Sequence, residues 1–397
     1  MKPIHNILLF LTNYLVMFLV FISLPILLVV RIVVRKKGVL YLENFPEENA
    51  GYQYRSKKWA ELLSGLGIKV SVKTVISDRE RFDNAGHFYF LCLSYFKKAA
   101  HIASSLTYET VIVRRELLAA NDYGNLFMER FLLAIHSHVI LDFDDDIADA
   151  KNQPKSKLSL YAKLMLEHPD KFNATLKLYR KFIVGSPFLA KLITAANPQL
   201  NQEAICYIPT CVNYDEIEPK KDFFENNHIV FGWIGGINNL YLLESIIPSL
   251  IRISENHNIK LIVIAGTEPK WETPFELQFF KWSLSHETEL LKKIDVGLMP
   301  LHDNIESLGK CGFKLIQYMG LGIPGIASGI GINSLIIENG INGFLVEPGN
   351  TWDEVIEKVI RTKETLPSVG NRARKTIHDA YTFNANKNKY IQFVLSK

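Results

Sequence analysis

The sequence predicts an α/β protein: two similar domains with a cleft between them, set behind an N-terminal apolar helix. Three observations lead there. Residues 295–328 read strand, glycine-rich turn, short helix, strand, the order of a parallel sheet. Residues 38–72 read strand, loop, helix, strand, a second unit of the same kind. Residues Ile7 to Val30 carry no charge, and only Thr12, Asn13, Tyr14, Ser23 and Pro25 interrupt their apolar run. A length of 397 residues allows two or three domains, and 48 % hydrophobic residues is ample for large cores.

Residues 1–37 are read as a membrane anchor with its basic flank. As a helix, Ile7–Val30 is about 36 Å long, against a hydrocarbon core of about 30 Å. Arg31, Arg35, Lys36 and Lys37 outweigh Lys2. The positive-inside rule then makes this a single-pass anchor of the cell (inner) membrane, with everything after it on the cytoplasmic side. A cleaved signal peptide would need a shorter apolar core and a small-residue cleavage site. A shallow re-entrant or interfacial insertion, with Pro25 as the kink, is the other alternative.

The first domain is expected over residues 38–212. Its strands are read at 38–43, 69–72, 88–91, 110–113, 139–143, 182–186 and 206–210, with a helix at 55–64. The strand at 139–143 runs into Asp142, Asp144, Asp145 and Asp146, with Asp149 close behind. Clustered carboxylates repel one another, so they call for a cation, sugar hydroxyls or helix-start amides. Capping of a helix start by Asp145 or Asp146 is the structural alternative. From Lys151 to Lys191, nine Lys and Arg face only Glu167 and Asp170. A basic amphipathic helix suits an anionic membrane surface or an anionic acceptor, and a solvated helix face equally.

Residues 213–227 read as a polar linker. The second domain is expected over 228–381, and 382–397 as a last helix. A strand at 229–234 enters Gly235-Gly236, and a helix follows over 240–253. Further strands are read at 260–266, 295–301 and 343–346, with helices at 282–293, 352–363 and 367–381. Between them lies Gly309–Pro324. Gly309 and Gly312 let the backbone turn and approach a ligand, the helix start favours an anion, and Lys310 and Lys314 add two cations. Locally, this reads either as a seat for phosphate or as a helix start with two solvated lysines.

The net charge of +4 makes no case for a nucleic-acid partner. Four cysteines, Cys92, Cys206, Cys211 and Cys311, lack zinc-site spacing and read as free thiols.

Taken together, residues 231–236, 295–301, 309–324 and 339–346 resemble the nucleotide-sugar half of glycosyltransferase family 4. In the first half, residues 51–55, the Asp142 cluster and residues 208–212 carry the same likeness. The resemblance implies the GT-B architecture, two facing Rossmann-like domains. It implies transfer of a sugar from a nucleotide-diphosphate-sugar, with retention of anomeric configuration, to a glycan or lipid-linked acceptor. That acceptor is an envelope polysaccharide precursor in this reading, with membrane lipids as further partners. It implies no cofactor and no obligatory metal, the nucleotide sugar being a co-substrate.

Carried onto this chain, the donor contacts fall on Gly235, Gly236, Asn238, Gly309, Cys311, Gly312, Phe313 and Gln317. Lys310, Lys314, Asp144 and Asp145 fall in the catalytic set, and Gly51 and Arg55 on the acceptor side. The chain departs from the family in three places. Gly309 and Gln317 occupy positions where the family has glutamates, and Asp144 one where it often has histidine. No arginine or lysine lies between Gly235 and Leu243. Other functions remain open at this stage. One is a metal-dependent transferase of GT-A type using Asp142-Phe143-Asp144. Others are a sugar-nucleotide epimerase and a degenerate subunit that binds without catalysis.

Overall fold

The structure is a computed structural model. It describes residues 2–47, 49–75, 87–118, 122, 124–145, 171–224 and 228–396. Asp146, Asp149, the 151–170 part of the basic segment and residues 225–227 of the expected linker lie outside the described residues. The chain divides into two compact units, Met1–Ile208 with Asn388–Lys397, and Pro209–Lys387.

In the first unit, β1 (Val39–Leu42), β2 (Val70–Lys73), β3 (Thr110–Arg114), β4 (Val139–Phe143), β5 (Phe182–Val184) and β6 (Ile205–Tyr207) form one sheet. Its order is β2-β1-β3-β4-β5-β6, and every pair is parallel. Every residue of β1, β3, β4 and β5 is buried. This explains why these strands appear in the sequence as unbroken apolar runs: both faces of a parallel sheet are covered. The four N-terminal helices are α1 (Lys2–Val33), α2 (Lys58–Gly65), α3 (His87–Ser104) and α4 (Phe127–Ile135).

The strand expected at 88–91 is instead part of α3. A four-residue apolar window does not separate strand from buried helix. The distinguishing signal lies further on, where Leu91, Tyr95 and Ile102 share one buried face.

α1 contains the one stretch among the described residues, Ile7–Val33, that is long and apolar enough to cross a membrane. It does not stand clear of the unit. Leu9, Asn13 and Val16 are buried, and the helix packs along α3 and α4.

In the second unit, β7 (Ile229–Gly235), β8 (Ile259–Ala265), β9 (Glu276–Lys281), β10 (Val296–Met299), β11 (Gly325–Ser328) and β12 (Phe344–Val346) form another parallel sheet. Its order is β12-β11-β10-β7-β8-β9. Counted within the unit this is 3-2-1-4-5-6 read from the other edge, the dinucleotide-fold order. The order reverses between β7 and β10. In sheets of this kind ligands bind outside the carboxyl ends of the strands at that reversal.

Two details here differ from the sequence expectation. The helix expected at 240–253 is two helices, Leu240–Glu244 and Ile247–Ser254, the second starting with Pro248 in its first turn. Proline lacks the N–H that would continue a helix. The helix expected at 282–293 is only Glu287–Leu291, preceded by β9, an edge strand with exposed Glu276 and Lys281 at its ends. β9 lacks the clean alternation that would mark it in sequence.

Residues 213–224 pack on the second unit. Tyr214 is buried, Lys220 pairs with Asp295 at 3.2 Å, and Arg374 donates to the Tyr214 and Ile217 carbonyls.

Close packing fixes several glycines. A Cβ on Gly297 would come within 2.2 Å of the Tyr318 ring, while one on Gly65 meets nothing within 4 Å. Gly297→Ala is therefore expected to destabilise the second unit by about 1–3 kcal/mol through overpacking. Gly65→Ala should be neutral or stabilising by up to about 1 kcal/mol. Urea unfolding of the two variants checks this contrast.

Candidate functional site

At the reversal point of the second sheet, β7 and β10 pair only through Phe231–Val296 and Gly232–Gly297. Beyond those pairs a side chain replaces the ladder. The Tyr318 hydroxyl accepts from the Ile234 N–H at 2.9 Å and lies 3.5 Å from the Leu298 carbonyl, to which it donates. Burial raises the pKa of this phenol well above its ordinary value, so it stays protonated. Tyr318 belongs to the helix Phe313–Gly320, whose N-cap is Gly312 with φ 69°. A side chain at Gly312 would be strained, and its Cβ would sit 2.6 Å from Ile336.

The helix aims its first turn at the end of β7. Lys314 lies against Gly235: a Cβ there would be 2.9 Å from the Lys314 Cε and 2.4 Å from the Trp233 ring. The Lys314 ammonium stands 5.3 Å from the centre of that ring. Gly235 is half-buried, while Gly236 and Asn238 are exposed in a short turn. Gly309 and Cys311 are buried, Phe313 is half-buried, and Lys310 is half-buried with Glu306 3.2 Å away. Glu306 also accepts from the Tyr241 hydroxyl at 3.4 Å, and Tyr241 stacks on His302.

Gln317 turns inward. It is buried and donates to Glu287 at 2.7 Å, and Glu287 also accepts from the Trp282 indole at 2.7 Å. The site thus joins Gly235, Lys314 and a helix start, with Lys310 and Glu306 beside them in the chain. Backbone amides and an ammonium group at a strand-to-helix turn suit an anion.

The first unit carries a different arrangement at the carboxyl ends of β1, β3 and β4, where its own strand order reverses. Arg55 sits in a π-helical turn, Tyr52–Lys57, pairs with Asp142 and donates to the Ile208 carbonyl at 2.6 Å. Arg114 pairs with Asp144, and Arg115 with Asp145 at 2.8 Å. Arg115 is held at φ 62°, a left-handed conformation that costs free energy in a non-glycine residue. Gly51 lies beside Arg114, its Cβ position 3.5 Å from the guanidinium. Glu43 accepts from Ser56, and its carbonyl accepts from Lys98 at 3.0 Å. Burial pushes the Lys98 ammonium down to about 7, against the attraction of Glu43, and pushes the Glu43 carboxyl up.

The aspartates therefore do not stand together as bare carboxylates. Asp142 and Asp144 are buried and balanced by arginine, while Asp145 is half-exposed. Among the described residues no group of three or more His, Cys, Asp or Glu is disposed to hold a metal ion. Arg114 and Arg115 escape the sequence reading, although two arginines directly after an apolar strand are a visible signal. Glu306, Tyr241 and Glu287 escape it too, because exposed or helix-start polar residues carry no pattern of their own.

Burial alone would raise the Asp144 carboxyl, but Arg114, Arg115 and Arg55 outweigh it and hold the group well below the usual carboxylate range. A lowered folded-state pKa adds stability above the unfolded value, about 3.9, and that contribution is lost as pH falls toward the folded one. Asp144→Asn is expected to cost about 3–5 kcal/mol at pH 7 by leaving arginine unpaired. The gap to wild type should narrow at pH 3, as measured by urea unfolding at both pH values.

The family model for glycosyl transferases group 1 matches residues 228–364. A search of curated proteins finds no match. Among solved structures, a sucrose-phosphate synthase from Thermosynechococcus elongatus is similar, with 14 % identity, TM-score 0.64, and coverage of 90 % of this chain and 98 % of that one. The catalytic domain of starch synthase IV from Arabidopsis thaliana, bound to ADP and acarbose, gives 11 %, 0.62, 90 % and 99 %. Anabaena HepE in complex with UDP-glucose gives 12 %, 0.58, 90 % and 98 %. The chain has the GT-B fold of these structures, and its residues 228–364 match the family model for glycosyl transferases group 1.

Proposed function

We propose that the protein transfers a sugar from a nucleotide-diphosphate-sugar to a glycan or lipid-linked acceptor, with retention of anomeric configuration. The observation that carries this reading is Lys314 laid against Gly235 at the sheet's reversal point, beside a helix start. The group 1 match over the same residues supports it, as do relatives bound to UDP-glucose and to ADP. Cleavage of the donor builds negative charge on the diphosphate. Lys310, Lys314 and the amides after Gly235 and Gly312 offset that charge as it grows. The two lysines supply the charge that a divalent ion brings elsewhere, so turnover in chelator is expected.

In this reading Gly51, Arg55 and the Asp144–Asp145 edge belong to the acceptor side, and α1 keeps the enzyme at a membrane where an envelope precursor is built. Gln317 reaches the ribose only if its bond to Glu287 opens. A second reading, a donor-binding subunit without catalysis, draws on that bond and on Gly309 standing where the resemblance places a glutamate.

A thermal-shift panel of nucleotide sugars on the full-length protein identifies the donor by mass action. Lys314→Met keeps the aliphatic stem over Trp233 and removes the charge. It is expected to weaken donor binding about ten- to a hundredfold, as loss of a charge-assisted bond does. Gly235→Ala, which displaces Lys314, should lose a similar amount. Binding that survives both changes refutes the phosphate seat. Donor binding without transfer or hydrolysis selects the second reading.

A further inference from the structure

The packing of α1 on its own unit determines how it meets a membrane. Along one side, Leu9, Asn13 and Val16 are buried, and Met17, Val20, Leu24, Leu27 and Val30 pack against the same core. Two polar ties fasten this side. Asn125 donates to the Asn13 side chain at 3.0 Å, and Arg31 donates to the Ala134 carbonyl at 2.9 Å. The fastened stretch from Leu9 to Arg31 is about 33 Å long, as long as a hydrocarbon core is thick. If α1 crossed the bilayer in this state, α3 and α4 would be carried into lipid with it. α4 bears exposed Arg130, and α3 bears half-buried Lys97 and His101. Lipid at that depth does not tolerate such charges.

The opposite side of α1 is a broad apolar face. Tyr14, Phe18, Phe21, Ile22, Val29 and Ile32 are 39–83 % exposed, spaced by three, four and seven residues along one side of the helix. The first 42 residues hold Lys2, Arg31, Arg35, Lys36 and Lys37 and no Asp or Glu. Aromatic and aliphatic side chains on one face, with cations at the ends, match the boundary of an anionic leaflet.

We propose that α1 lies in the plane of an anionic lipid leaflet, its Tyr14–Phe18–Phe21–Val29–Ile32 face in the acyl boundary and its Leu9–Asn13–Val16 face on the first unit. The helix is then a raft built into the domain's side, and the first unit rests on one surface of the membrane without a crossing segment. The inference stands on the packing of α1 and is independent of any transferase activity.

Topology is read with full-length protein carrying an epitope before Met1, expressed in bacterial cells. A protease added to sealed inside-out membrane vesicles is expected to remove the epitope. Protease added to spheroplasts should leave it intact. Digestion in spheroplasts, with protection in the inside-out vesicles, overturns the proposal in favour of a spanning helix. Loss of the epitope before any protease is added, by cleavage behind α1, overturns it in favour of a signal peptide.

The occupant is read by sedimentation with vesicles of phosphatidylcholine containing 30 % phosphatidylglycerol. Phe18→Glu with Phe21→Glu is expected to lower vesicle-bound protein at least tenfold, with the urea midpoint of the domain unchanged. Replacing Arg35, Lys36 and Lys37 by Gln should remove the preference for phosphatidylglycerol. Unchanged vesicle binding in the double glutamate variant overturns the proposal. So does a lipid-free dimer that this variant dissolves, because the face then belongs to a second copy of the chain.

Discussion

The second unit depends on one hydroxyl. Where β7 and β10 diverge, the Ile234 N–H loses its ladder partner, and a buried N–H without an acceptor is costly. Tyr318 fills the gap from below, with its ring over Gly297 and its oxygen between the two strands. The divergence falls where the strand order reverses, the place at which sheets of this kind take ligands, and the tyrosine lets it exist without an orphaned amide. Because Tyr318 and Lys314 share one helix, four residues apart, the bond that closes the sheet also sets where the lysine points. At Gly312, Gly297 and Gly235, Ile336, the Tyr318 ring, and Trp233 with Lys314 leave no room for a side chain.

The first unit handles its strand ends by pairing charges. Arg55, Arg114 and Arg115 meet Asp142, Asp144 and Asp145 in a row of buried and half-buried ion pairs. Such pairs seldom add net stability over apolar packing, and breaking one is expensive. Their worth lies in direction: each guanidinium is tied to a carboxylate, and Arg55 to the Ile208 carbonyl as well. With Arg115 held in a left-handed conformation, the edge is rigid and strained at the place where an α/β sheet presents its ligands. The second unit presents amides and ammonium groups there, and the first presents planar, pre-paired arginines.

Much of this was legible in the sequence, for reasons that particular residues explain. Buried parallel strands announce themselves as apolar runs, so ten of the twelve strands among the described residues appear near their true positions and β2 is seen from its βαβ context. Gly235, Lys310, Gly312 and Lys314 were visible because turn glycines and cations at a helix start have a local signature. What the sequence hides is pairing at a distance. Asp142 looks like one of a cluster of bare acids until Arg55, 87 positions earlier, is seen beside it. Gln317, which the resemblance places among the donor contacts, gives no sign in sequence of its bond to Glu287, 30 positions earlier. The helix at 88–91 and the edge strand β9 were missed because a short window carries too little period to show which face is buried. α1 shows the same limit: its composition reads as a membrane helix, and only the stripe against α3 and α4 shows how it is seated.

The path of the final helix has a consequence for synthesis. Phe383–Leu395 starts in the second unit and ends in the first, where Tyr390 stacks on Trp59 at 3.9 Å and shares a hydrogen bond with Tyr41 at 2.6 Å. Trp59 and Tyr41 are made early, and their partner is made after all of residues 209–387. At ordinary translation rates the wait is on the order of ten seconds or more. Throughout it the first unit lacks the aromatic partner of Trp59 and Tyr41 beside β1, while the second unit has every residue it needs to close. The half of the chain that is translated second is therefore free to finish folding first.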